Sequence, residues 1–189
     1  MSKLKIEINV INKENLPKDG KFLLISNHRS IIDPLIIESA FFNTNIKGYW
    51  VAKKELYNSF FFGMFTRNAG SVLLDRQAKN MTAFFKRLKN VVSQGDSIFI
   101  FPEGTRNKGN TPLASFKEGA RIIALKNRIP ILPVYIRTNT NTVLKEAINI
   151  REKKLMIDIE IGIIIDYKDK TPLEDNYRNI FDLNKKGKI

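Results

Sequence analysis

The amino-acid sequence predicts an α/β fold, a mostly parallel central sheet flanked by helices, in a single domain over residues 1–189. Two observations point to that class. Short apolar runs alternate with segments of helical period, the order expected where strands are joined by crossover helices. No internal repeat, low-complexity tract or long linker breaks the alternation, and 43% apolar residues suffice for a buried core at this length.

The strands expected, in order, are 6–11, 22–26, 49–52, 71–74, 97–101, 131–137 and 155–165. In the last, Ile157, Ile159 and Ile161 alternate with Met156, Asp158 and Glu160, so one face is exposed or the strand lies near an edge. A helix should begin after Asp33, with Pro34 at its first position. The clearest helix covers 78–94, where Met81, Phe84, Phe85, Leu88, Val91 and Val92 recur on one face and Gly95 supplies a stop. Another is expected over 116–126. Thr171-Pro172-Leu173-Glu174 has the form of a capping box and should open a C-terminal helix.

Composition narrows the chemistry. Cysteine is absent, which removes disulfides, thiol nucleophiles and thiolate metal sites and suits a reducing compartment. One histidine cannot build a histidine cluster, so no metal is expected. Lys and Arg number 32 against 19 acidic residues, a formal charge of +13. An AT-rich coding sequence would raise Lys without lowering Asp and Glu, so an anionic partner is expected. Nucleic acid is not the expected one, because the aromatics cluster in apolar runs instead of alternating with basic residues. With no apolar run of about 18 residues and no signal-peptide h-region, an intracellular protein without a transmembrane helix is expected.

The single histidine stands in Asn27-His28-Arg29-Ser30-Ile31-Ile32-Asp33, after an apolar strand and before a Pro-started helix, where α/β sheets place reactive groups. Imidazole chemistry near neutral pH must pass through this segment. Asp33 is placed to accept a hydrogen bond from one ring nitrogen and fix the tautomer. The plainer alternative is that Asp33 caps the helix and His28 is a loop histidine, which spacing alone favours. Downstream, Phe101-Pro102-Glu103-Gly104-Thr105-Arg106 ends a strand. Gly104 permits a tight turn, Arg106 offers a planar fork for phosphate, and Glu103 stands where it can hold that fork. Its alternative is a strand-ending turn with a surface ion pair. No Walker-type loop, G-x-G-x-x-G or G-x-S-x-G is present, so nucleotide binding and a nucleophile-elbow hydrolase are unsupported. A His–Asp pair with no obvious protein nucleophile points to a base that activates a substrate hydroxyl directly.

Further blocks follow in order. One runs from Lys53-Lys54-Glu55-Leu56 through Gly63 and Gly70 to Asp75-Arg76. The segment 101–106 is followed by Phe116-Lys117-Glu118-Gly119-Ala120, and Ile129-Pro130-Ile131-Leu132-Pro133-Val134 closes the series. With the N-H-x4-D pattern of residues 27–33, these four blocks over about 25–134 resemble the glycerolipid acyltransferases, and among them the 1-acyl-glycerol-3-phosphate (lysophosphatidic acid) acyltransferases. Where that family often has Pro before the first Gly of its second block, this chain reads Ser59-Phe60-Phe61-Phe62-Gly63.

The resemblance implies a glycerol-phosphate acyltransferase-like fold; with only about twenty residues before the first motif's strand, the N-terminal membrane helices of many relatives are not expected. It makes His28 the general base and Asp33 the group that orients it. Glu103, Gly104, Thr105 and Arg106 would hold the acceptor, Arg106 on its phosphate, with Lys53 and Arg76 as further contacts to that anion. The residues around Pro130 would shape an acyl channel. The implied reaction moves a fatty acyl chain from acyl-CoA or acyl carrier protein to 1-acyl-glycerol 3-phosphate, giving phosphatidic acid without a cofactor. Another lyso-lipid or glycerol 3-phosphate is the alternative acceptor. The alternative of another class, a non-catalytic basic module binding membrane or nucleic acid, leaves the His28–Asp33 pair and the 101–106 block as coincidence. The implied location is peripheral, on the cytoplasmic side of the cell membrane, against anionic lipid. Phe60-Phe61-Phe62-Gly63-Met64-Phe65, flanked by Lys53, Lys54 and Arg67, is the candidate lipid-contacting segment, the alternative being core or acyl-tunnel packing. Phe41 and Phe42 carry the same two readings.

Overall fold

The computed structural model describes residues 5–18, 20–59, 63, 70–150 and 153–184. Seven strands are described: β1 (Ile6–Ile11), β2 (Leu23–Ser26), β3 (Gly48–Lys53), β4 (Val72–Leu74), β5 (Ser97–Ile100), β6 (Ile131–Ile136) and β7 (Leu155–Ile161). They form one sheet in the order β1-β7-β6-β2-β5-β3-β4, parallel at every junction except β6–β7. The helices are α1 (Asp33–Phe41), α2 (Lys54–Tyr57), α3 (Thr82–Ser93), α4 (Gly119–Asn127), α5 (Thr140–Asn149) and α6 (Leu173–Ile180). The predicted class, a mostly parallel sheet flanked by helices, is the one observed.

The central strands β2, β5 and β6 are apolar and buried along their whole length, as strands covered on both faces must be. Successive residues of β2 point to opposite layers. Leu23 and Ile25 join Leu88 and Val91 of α3 and Ala120 and Ile123 of α4. Leu24 joins Ile36 and Ile37 of α1 and Val143 and Ala147 of α5 on the other face. Each fully buried leucine in these layers contributes about 1.5–3 kcal/mol. In β7, Ile157, Ile159 and Ile161 are buried while Met156 is exposed, and the strand lies next to the β1 edge, as its alternation predicted.

Four local expectations are corrected. The helix expected over 78–94 starts at Thr82, because the Asn80 side chain accepts the Thr82 N–H and holds the preceding turn out of the helix. The strand expected over 155–165 ends at Ile161. Opposite that end lies Pro133, which has no N–H to extend the ladder; its carbonyl accepts the Gly162 N–H, and pairing resumes only as an isolated bridge from Ile165 to Ile131. The C-terminal helix is present, but Thr171 forms no capping box. Glu174 instead accepts the Phe116 N–H and pairs with Arg178. The helix expected over 116–126 begins at Gly119. α2 and α5 were not expected. The Phe60–Phe62, Met64 and Phe65 part of the candidate lipid-contacting segment, with Arg67, lies outside the described residues.

Chain direction decides where a site forms. From β2 the chain passes through α1 on one face to β3, beyond β5. From β5 it passes through α4 on the opposite face to β6, beyond β2. Two adjacent parallel strands whose connections leave in opposite directions open a crevice at their carboxyl ends. Residues 27–33 follow one of these strands and 101–106 the other, so the fold brings both segments to that crevice.

Candidate active site

The His28 ring donates from Nδ1 to Asp33 Oδ2 at 2.9 Å. This direction follows from chemistry, since an ionised carboxylate only accepts; Nε2 then keeps its lone pair. Asp33 is fully buried, and an unpaired carboxylate there would be costly. It is instead saturated: Oδ2 also accepts the Arg29 and Ser30 N–H groups, each at 2.7 Å, and Oδ1 accepts the Thr140 hydroxyl at 2.6 Å. Asp33 is therefore not the side-chain cap of α1, which has none; its carboxylate folds the 28–33 turn back onto itself.

Packing fixes the ring from its flat side. His28 stacks on Phe101 with centroids 4.0 Å apart, and Phe101 stacks on Trp50 at 4.8 Å. The Trp50 indole N–H donates to Glu38 of α1 at 2.8 Å. Main-chain bonds fix the ring's base as well: His28 N–H donates to Glu103 Oε1 at 2.7 Å and its carbonyl accepts from Asn107 N–H at 2.7 Å. Asn27 closes the turn from behind. Its side chain both donates to and accepts from the backbone of Ile136, as another strand residue would.

Glu103 is buried, with its second oxygen accepting the Ala114 N–H at 2.7 Å. Burial pushes its carboxyl up to about 6 despite the two backbone hydrogen bonds that favour the anion. The expected pairing of Glu103 with Arg106 does not form. Both Glu103 oxygens are engaged by main-chain N–H groups, while Arg106 and Thr105 are exposed. Arg106 meets no acidic side chain among the described residues.

Gly104 lies between these two, at φ +69°, in the left-handed region that favours glycine. Its carbonyl accepts from Arg76 Nη2 at 2.9 Å, and a Cβ added there would meet that same nitrogen at 2.7 Å. Arg76 follows β4 and Lys53 ends β3, with Lys53 in register with Leu74. The structure thus brings Lys53 and Arg76, the two ends of the second sequence block, and the third block to the same sheet edge as His28. Lys54, by contrast, is neutralised by Asp75 at 3.0 Å. Among the described residues no cluster of three or more His, Asp or Glu side chains is placed to hold a metal ion. Ser30 is no nucleophile in this arrangement: it is fully buried, and its hydroxyl has no hydrogen-bond partner among the described residues.

The acyltransferase family pattern matches residues 7–137, which include every residue of this site except the α5 contacts. The chain belongs to the acyltransferase family. It is 35% identical over 153 residues to the 1-acyl-sn-glycerol-3-phosphate acyltransferase of Helicobacter pylori, covering 76% of this chain and 63% of that one. The protein of the same name from Saccharomyces cerevisiae is 32% identical over 158 residues, 82% of this chain and 50% of the relative. The chain thus spans about half to somewhat under two thirds of the length of these acyltransferases. The crystal structure of the 1-acyl-sn-glycerophosphate (LPA) acyltransferase from Thermotoga maritima superposes with a TM-score of 0.65 at 25% identity, over 95% of this chain and 69% of that one.

Sequence reasoning missed Thr140, Asn141, Phe101 as a stacking partner, and the bracing role of Asn27 and Asn107. For Phe101 a signal existed, an aromatic immediately before Pro102-Glu103. For Thr140 the only local signal was Asn139, which caps α5 by accepting the N–H groups of Asn141 and Thr142.

Proposed function

We propose that this acyltransferase moves a fatty acyl chain from a thioester to the free hydroxyl of 1-acyl-glycerol 3-phosphate, giving phosphatidic acid. The observation that carries the reading is the His28 Nδ1–Asp33 Oδ2 hydrogen bond at 2.9 Å, with the neighbouring Ser30 hydroxyl bonded to no group among the described residues. Relatives bearing that activity as their name support the choice of acceptor. Nε2 of His28 takes the hydroxyl proton as the acceptor oxygen attacks the thioester carbonyl. Asp33 stabilises the imidazolium that results. The tetrahedral adduct collapses, the C–S bond breaks, and the proton on Nε2 passes to the departing thiolate. Base and proton are thereby restored, and no cofactor is required.

Arg106, Arg76 and Lys53 gather cations at the crevice for the acceptor phosphate, with the Gly104–Thr105 turn presenting backbone to it. Glu103 contributes by holding the His28 main chain to this turn. The donor is acyl-CoA or the acyl thioester of acyl carrier protein. Among the described residues no helix is long and apolar enough to cross a membrane, and the charge of +13 favours a peripheral position on anionic lipid at the cytoplasmic face.

The test is acyl transfer by wild-type and His28→Ala protein. Lysophosphatidic acid and glycerol 3-phosphate are offered separately, each with acyl-CoA and with acyl carrier protein loaded with a fatty acyl thioester. Product from lysophosphatidic acid that vanishes in the variant is expected. Product only from glycerol 3-phosphate would replace the acceptor, and undiminished transfer by His28→Ala would remove the base.

A further inference from the structure

The His28–Asp33 pair is oriented from outside the four sequence blocks, by the start of α5. Thr140 is the first residue of that helix and is fully buried. Its hydroxyl donates to Asp33 Oδ1 at 2.6 Å, the one contact to that oxygen among the described residues. The next residue, Asn141, donates from its side chain to the Arg29 carbonyl at 2.8 Å, so the same turn of helix grips the 28–33 loop twice. β6 leads directly into this turn and is itself tied to the loop through Asn27 and Ile136.

Carboxylate geometry makes the Thr140 contact consequential. All three donors on Oδ2, including His28 Nδ1, lie on one side of the carboxylate. Without a partner on Oδ1, a buried charged oxygen is left unpaired, and the group can recover solvation only by rotating or by shifting the turn. Either movement takes Oδ2 out of line with the ring. We propose that Thr140 is a positioning residue for the acyltransfer reaction: its hydroxyl locks the Asp33 carboxylate so that His28 is held as the Nδ1–H tautomer with Nε2 free to accept a proton. The effect on rate rests on the acyl-transfer reading above; the effect on the tautomer does not.

Two variants separate hydroxyl from bulk. Thr140→Val keeps the branched shape and removes the donor; Thr140→Ser keeps the donor and removes the methyl. Two readouts are taken, kcat and KM for transfer to lysophosphatidic acid, and the ¹⁵N spectrum of the neutral imidazole. Because the chain has one histidine, every ring resonance belongs to His28. Thr140→Val is expected to lower kcat roughly 10- to 100-fold with KM unchanged, and to replace a single Nδ1–H tautomer by a mixture. Thr140→Ser is expected to keep both wild-type properties. A wild-type tautomer in Thr140→Val overturns the proposal whatever the rate does, and equal loss of kcat in the two variants overturns it as well. If wild-type protein transfers to no acceptor offered, the functional reading fails, while the ring spectrum still decides the role of Thr140. Should Thr140→Val not fold, Thr140→Ala against Thr140→Ser carries the same comparison.

Discussion

In the loop after β2, Asp33 is buried and takes four hydrogen bonds, and His28 is fixed through its ring, its N–H and its carbonyl. Along the same sheet edge, Thr105 and Arg106 are exposed, and Arg76 donates to the Gly104 carbonyl. Under the proposed function, the contrast follows from what each region would do. A general base works only when one nitrogen is held within a narrow geometry, so its surroundings are frozen before substrate arrives. A phosphate presents several equivalent acceptors, so long flexible cations can meet it from several directions.

That contrast breaks if substitutions in the two regions act alike. Asp33→Asn should have the largest effect, lowering kcat by about 10²–10⁴-fold. An amide keeps only one acceptor oxygen: turned toward Arg29, Ser30 and His28 it leaves its NH2 against Thr140, turned the other way it sets the NH2 against those donors, and in either position it has no charge to stabilise the imidazolium. Steady-state kinetics check it, and a change confined to KM would refute the division of labour. Arg106→Ala combined with Arg76→Ala should raise KM for the phosphorylated acceptor roughly 10- to 100-fold while kcat holds. The penalty should shrink when an acceptor without phosphate is used; a fall in kcat of similar size would put these cations in the chemical step.

Smaller effects sharpen the boundary between the two regions, where 103 and 104 sit. Gly104→Ala forces a side chain into φ +69° and against Arg76, so urea denaturation should show a loss of about 1–2 kcal/mol. Unchanged stability would mean that the turn relaxes freely. Glu103→Gln turns an amide NH2 against one of the two main-chain N–H groups, which lowers stability at every pH, and it also removes the pH dependence that the carboxyl contributes. The Glu103 carboxyl is raised from 4.5 to about 6 on folding, so the folded state binds its proton more tightly. Its contribution to stability is present below pH 4.5 and is lost as pH rises through about 6. Relative to the variant, wild-type protein should therefore lose stability across that window and run parallel above it. Denaturation curves that stay parallel throughout would contradict the burial argument.

Much of this molecule could be read along the chain, and the reasons are local. Apolar runs such as 22–26 and 97–101 have one stable use, as strands covered on both faces, and the 3.6-residue recurrence of Phe84, Leu88 and Val91 permits only a helix packed on them. His28 and Asp33 lie five residues apart, so a single turn can join them, which is why that pair came forward, although spacing alone favours helix capping. Tertiary structure decided between the two, by supplying a hydroxyl from a residue 107 positions away and by turning Glu103 inward to the His28 main chain. It also gathered Lys53, Arg76 and Arg106 from three strand ends to one edge. Partners joined across a parallel sheet share no spacing rule, because crossovers of any length can bring their strands together. Chemical types and short-range geometry were therefore determined by sequence alone, and which of them meet was settled only when the strands took their order.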